Sequence, residues 1–139
     1  MGWVDSLSGK VVGLDTAPVI YYIERNPQYI EMLRLFFQAV DRGDCSVVSS
    51  IVTFLEGLVI PIRQGNTDLV RQYHNLLFKT KGLKTIFLDQ QIAEEAARLR
   101  AFHKIRTPDS IQVATAITME AAFFLTNDKR LPSLPNLKI

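Results

Sequence analysis

A chain of 139 residues with 47% hydrophobic and 22% charged residues is long enough to close a core without disulfide or metal support, and too apolar to be disordered, so one domain over residues 1–139 is expected. A net charge of +2 permits a polyanionic partner but falls far short of a dense basic coat. The one cysteine, Cys45, excludes an internal disulfide and the multi-thiolate zinc sites.

In chain order, Val11-Val12-Gly13-Leu14 reads as a first strand ending at Asp15. Thr16-Ala17-Pro18 leads into a helical stretch from Val19 to Ile23, with Pro18 suited to a first helical position because its missing N–H has no partner there. Beyond Asn26-Pro27, the segment from Gln28 to Val40 carries Ile30, Leu33, Leu35, Phe36, Phe37 and Val40, a broad apolar stripe at helical spacing. Ser46-Val47-Val48 is a short second strand, and Ser49 or Ser50 offers the cap of a helix from Ile51 to Arg63. A turn at Gln64-Gly65-Asn66-Thr67 precedes a helix from about Asp68 to Lys79, and Leu83 to Leu88 forms a third strand. Helices follow from Gln90 to His103 and from Thr107-Pro108 to about Ala121; Phe123 to Thr126 is a fourth strand and Asn136 to Ile139 a short fifth.

Strands alternating with helices imply an α/β protein with a mostly parallel sheet covered on both faces. The apolar stripes of segments 28–40 and 68–79 admit two readings, a surface for a partner or ordinary core packing. No apolar run approaches the roughly 20 residues of a membrane helix, and the amino terminus lacks the pattern of a secretory signal, so a cytoplasmic protein without a membrane partner is expected.

Four acids stand out by position. Asp15 ends the first strand, where open parallel sheets bind ligands, although capping the next helix would equally account for it. Glu56 has Val52, Thr53, Val59 and Ile60 three and four positions away, a mainly apolar face on which a carboxylate needs a cation, a donor or a proton. Snorkelling at the stripe edge, or pairing with Arg63, would also satisfy it. Asp109 lies in a first helical turn, where the helix dipole favours any acid, and Asp128 lies in a turn-forming Asn-Asp pair after the fourth strand. Together they are placed to converge at one edge of the sheet. Two unit charges about 4 Å apart repel by roughly 4 kcal/mol at an effective dielectric near 20, so such a cluster calls for cations, and oxygen-only ligands suit Mg²⁺ or Mn²⁺. Ions of that kind activate water and stabilise the leaving oxygen in phosphodiester hydrolysis.

The segments Gly13-Leu14-Asp15-Thr16, Ser49-Ser50-Ile51-Val52-Thr53-Phe54-Leu55-Glu56, Thr107-Pro108-Asp109-Ser110-Ile111-Gln112-Val113-Ala114-Thr115-Ala116 and Leu125-Thr126-Asn127-Asp128 resemble, in this order, the PIN-domain family. The resemblance is closest to its bacterial toxin branch of the VapC kind and covers nearly the whole chain. It implies a doubly wound α/β sandwich with a five-stranded parallel sheet flanked by helices. It also implies Asp15, Glu56, Asp109 and Asp128 as the catalytic, metal-binding set, with Thr126 supporting the pocket and Thr16 doing the same beside Asp15. The implied activity is endonucleolytic cleavage of RNA with Mg²⁺ or Mn²⁺ by a homodimer restrained by a cognate antitoxin. One departure is Ala17-Pro18, where many members carry Asn or Ser.

Around the acids, Lys104, Arg106, Lys129 and Arg130 are candidates for contacts to RNA phosphates, or solvated charges beside turns. His74 and His103 fall on separate helices with nothing to join them in an acid–base relay. Two other classes fit less well. A phosphoacceptor signalling domain would use Asp89 after the third strand, but it wants paired acids after the first strand and a late Lys. A PIN-like RNA- or protein-binding module without catalysis would have no need of all four acids.

Overall fold

The structure, a computed structural model, describes residues 3–128. Its strands are β1 (Val11–Leu14), β2 (Ser46–Ser50), β3 (Leu83–Ile86) and β4 (Phe123–Leu125), all parallel, in the order β3-β2-β1-β4. The helices are α1 (Thr16–Ile23), α2 (Ile30–Asp41), α3 (Ile51–Arg63), α4 (Thr67–Lys79), α5 (Gln90–Phe102) and α6 (Thr107–Thr118), and a 3₁₀ turn at Trp3–Leu7 precedes β1. The fifth strand expected at Asn136 to Ile139 lies outside the described residues. No helix among them is long and apolar enough to cross a membrane.

Period-2 alternation along the strands divides the core into two layers. Val12, Leu14 and Val47 join Val19 of α1, Phe36 and Phe37 of α2, and Tyr73 and Leu77 of α4 on one face. Val48 and Phe124 join Ile92 and Leu99 of α5 and Val113 and Ala116 of α6 on the other. The stripes of segments 28–40 and 68–79 are therefore core, since Leu33, Phe36, Phe37, Val40, Tyr73 and Leu77 are buried. Leu35 of α2 and Phe78 of α4 are exposed beside those stripes, and α3 exposes a longer apolar row, Leu55 (64% exposed), Val59 and Ile62 (62% exposed), at i, i+4, i+7.

Gly13 makes the second layer close. A methyl group built there would lie 2.6 Å from Ala116 Cβ and 3.1 Å from the Phe124 ring, so only glycine lets α6 press onto β1. Chain connectivity then fixes where a ligand can enter. Segments α1 to α4 carry the chain from β1 outward through β2 to β3, and α5 and α6 return it across the opposite face to β4, on the other side of β1. Helix α1, which leaves the carboxyl end of β1, and α6, which leads to β4, pack on opposite faces, and this leaves a crevice beyond the carboxyl ends of these two strands.

Several element ends differ from expectation for local reasons. Helix α1 starts at Thr16, because Asp15 caps it, and Pro18 takes the third helical position, still within the turn whose N–H groups lack partners. Strand β3 stops at Ile86 because its neighbour β2 ends in register at Ser50, which leaves Phe87 and Leu88 unpaired and exposed. Helix α6 ends at Thr118 because Glu120 adopts φ 59° and the Ala121 N–H turns back to the Ala116 carbonyl.

Candidate metal centre at the ends of β1 and β4

Asp15 stands at the crevice. Its backbone N–H donates to the Leu125 carbonyl (3.0 Å), which ties the end of β1 to the end of β4. Its carboxylate takes one bond on each oxygen, from the Thr16 N–H at 2.8 Å and from the Thr126 hydroxyl at 2.7 Å. Thr126 in turn accepts from the Asp128 N–H (3.0 Å), so one hydroxyl fixes both the carboxylate of β1 and the loop carrying Asp128. Asp15 is thus both a helix cap and a pocket acid, and the two readings of it coincide. Only 8% exposed, its carboxyl is pushed above the usual range mainly by burial, against the bonds from Thr126 and Thr16 that favour the anion, with the charges of Asp109 and Glu56 raising it further.

Glu56 reaches the crevice from α3, which begins without a loop after β2 because Ser50 accepts from the Val52 N–H at 3.1 Å. The surroundings expected for it were apolar; they are polar. Glu56 Oε1 accepts from the Thr16 hydroxyl at 2.6 Å and from Gln112 Nε2 at 3.0 Å, in place of an ion pair with Arg63. The apolar residues near it in sequence, Val59 and Ile60, face outward. Gln112 is buried and satisfied on both ends of its amide, donating also to Thr16 Oγ1 (2.6 Å) and accepting from the Thr53 hydroxyl (2.9 Å). The hydrogens run one way, from Thr53 to Gln112 and from Gln112 and Thr16 to Glu56, so the carboxylate is the terminal acceptor of the network.

Asp109 takes the third position of α6, where the free N–H groups favour an acid. Its Oδ2 faces the Arg106 guanidinium, Nη2 at 3.1 Å and Nε at 3.2 Å. Asp15, Glu56, Asp109 and Asp128 all line one cavity of about 490 Å³, together with Thr16 and Arg106. Within the described residues no three His, Cys, Asp or Glu side chains stand close enough to share an ion as they are arranged. Glu56 is turned to its hydroxyl and amide donors and Asp109 to Arg106, so these acids are gathered around a space and held by donors that a cation would compete with.

The other candidates separate cleanly. Arg106 lines the cavity as the partner of Asp109, Lys104 is exposed and does not line it, and Lys129 and Arg130 lie outside the described residues. His74 packs against the Phe54 and Phe78 rings and His103 caps α5, neither of them lining the cavity. Asp89 caps α5 through the Ile92 N–H (2.8 Å) at the edge strand β3, away from the acids, which removes the phosphoacceptor reading. Sequence reasoning missed Gln112 and Thr53. The signal was there, a glutamine three residues after Asp109 between Ile111 and Val113, and a threonine three before Glu56.

Among curated proteins no sequence matches. Solved structures do. One is VapBC2 from Rickettsia felis bound to a promoter DNA fragment, with TM-score 0.70 and 18% identity over 92% of this chain and 96% of that one. A toxin–antitoxin complex from Klebsiella pneumoniae gives TM-score 0.65 and 22% identity over 93% and 96%. Mycobacterium tuberculosis VapC20, a sarcin-ricin loop cleaving toxin, gives 0.69 and 10% over 86% and 90%. At these identities the likeness is one of fold. The PIN domain family model, however, matches residues 12–137, a span that contains all four acids, and the chain belongs to the PIN domain family.

Proposed function

We propose that this chain is a Mg²⁺- or Mn²⁺-dependent endoribonuclease of the VapC kind, the toxin of a type II toxin–antitoxin pair. The observation that carries the reading is the convergence of Asp15, Glu56, Asp109 and Asp128 on one cavity where the chain path diverges between β1 and β4. The donor set fits a hard divalent cation, being oxygen only, and Asp15 is a carboxylate whose charge burial and two acidic neighbours disfavour, a cost that a cation removes. The four acids would hold it, and it would supply Lewis-acid catalysis at a phosphodiester.

The chain's own residues set the terms for that chemistry. Thr16, Thr126 and Gln112 hold two of the carboxylates in place before any substrate arrives, which limits reorganisation at the moment of reaction. Arg106 neutralises Asp109 and stands at the cavity, where an RNA phosphate would compete for its guanidinium. The similar solved structures from Rickettsia felis and Klebsiella pneumoniae are toxin–antitoxin assemblies, which supports a cognate antitoxin here. The exposed stripe of Leu55, Val59 and Ile62 on α3 is an apolar surface of the kind a protein partner covers, whether an antitoxin or a second copy.

The test is cleavage of total RNA and transfer RNA by the purified protein with Mn²⁺, with EDTA, and with Asp109→Asn in parallel. Cleavage that requires both the metal and Asp109 is expected. Alongside it, Mn²⁺ should raise the melting temperature of the parent more than that of Asp15→Asn. Equal shifts would remove this cavity as the metal site, and Mn²⁺ binding without cleavage would favour a PIN-like binding module.

A further inference from the structure

The cavity has a second wall that phosphodiester hydrolysis does not require. Ala17, Ile20 and Tyr21, at i, i+3, i+4 on α1, line it together with the acids. The Tyr21 ring stacks on Tyr29 with centroids 4.6 Å apart and planes within 9°. Asn127 ties the pair at its hydroxyl end, since its Nδ2 donates to the Tyr21 hydroxyl (3.1 Å) and its Oδ1 accepts from the Tyr29 hydroxyl (3.4 Å). Asn127 sits between Thr126, which holds Asp15, and Asp128, so the ring is positioned by the same loop that positions the acids.

This aromatic pair is not core. Neither Tyr21 nor Tyr29 belongs to the two apolar clusters, and both rings are partly exposed. A partly exposed ring that is stacked on a second ring, hydrogen-bonded at its tip and set in the lining of a cavity of acids is pre-organised for a flat apolar ligand that arrives attached to an anion. An unpaired nucleobase on a phosphodiester chain has that chemistry, whereas a base inside a duplex keeps its faces covered by its neighbours.

We propose that Tyr21, backed by Tyr29 and steered by Asn127, is a stacking platform for an unpaired nucleobase beside the acidic cavity. The proposal rests on the ribonuclease reading. Stacking on the ring fixes the backbone relative to the acids without reading base identity, so the platform selects for strand state more than for sequence.

The experiment measures binding of a labelled oligouridylate, and of a ribose-phosphate strand of equal length without bases, to full-length protein carrying Asp109→Asn so that the strands survive. The expected result is about tenfold tighter binding of oligouridylate than of the abasic strand. Tyr21→Leu keeps an apolar side chain but no ring and should erase that preference with the abasic affinity unchanged, while Tyr21→Phe should keep it. A preference that survives Tyr21→Leu, or parent binding equal for both strands, overturns the platform. If equal binding accompanies Asp109-dependent cleavage by the parent, the platform falls and the nuclease stands; if the parent binds neither strand and cleaves nothing, both fall.

Discussion

Gln112 shows how much of this site depends on one neutral side chain. Its amide bridges Thr53, Thr16 and Glu56, and no charged residue could both accept from Thr53 and donate to Glu56. Gln112→Ala leaves the Thr53 hydroxyl only the longer contact to Thr16 Oγ1 (3.3 Å) and takes one of two donors from Glu56, a cost of about 1–3 kcal/mol that urea unfolding would register. Gln112→Glu keeps the size but sets a second carboxyl against Glu56. That variant should be weakened near neutral pH and recover as the pH falls to about 4, where the added group is protonated. Asp15 has a pH signature of its own. With EDTA present, its folded pKa lies above its ordinary value of 3.8, so between the two the folded state keeps a proton that the unfolded chain has lost. Stability is therefore lost as pH rises through that window. Unfolding midpoints followed from about pH 4 to about pH 7 should fall less for Asp15→Asn than for the parent. Equal slopes would show that burial of Asp15 has no such effect.

At the scale of elements, what the sequence displayed was what local chemistry decides. Ser50, Asn66 and Asp89 cap α3, α4 and α5 with side-chain oxygens, and each of these helices is legible within a residue or so of its start. Ends decided by neighbours were not legible. β3 is cut short by the length of β2, and α6 ends on a glutamate in the left-handed region, where a glycine would have announced the stop. The acids could be named in advance because strand ends and helix starts carry them. Thr16 and Thr126 could be named with them through the family resemblance, whereas Gln112 and Thr53 gain their role only when α3 and α6 are brought together in three dimensions. Gly13 belongs with these contacts. Its methyl would collide with Ala116 at 2.6 Å, so Gly13→Ala should force α6 off β1 at a cost of about 1–3 kcal/mol and shift Asp109 relative to Asp15. Melting and Mn²⁺ titration of that variant check both consequences. A variant as stable as the parent would mean that α6 has room to move.

For the molecule as a whole, the alternation of strands and helices was sufficient to indicate a parallel sheet, but not its order. That β4 lies beside β1, and not beyond β3, is what turns a series of capped strand ends into a single cavity. The hydrogen bond from Thr126 to Asp15 joins residues 111 positions apart in the chain, and nothing local stands in for it. Contacts of such separation form late, after the loop they close has given up its freedom. A growing chain on the ribosome therefore carries Asp15 without its Thr126 partner while everything between β1 and β4 is being made. The proposed cutting edge is assembled only when β4 has emerged and slid in beside β1, so the newborn chain passes most of that interval unarmed.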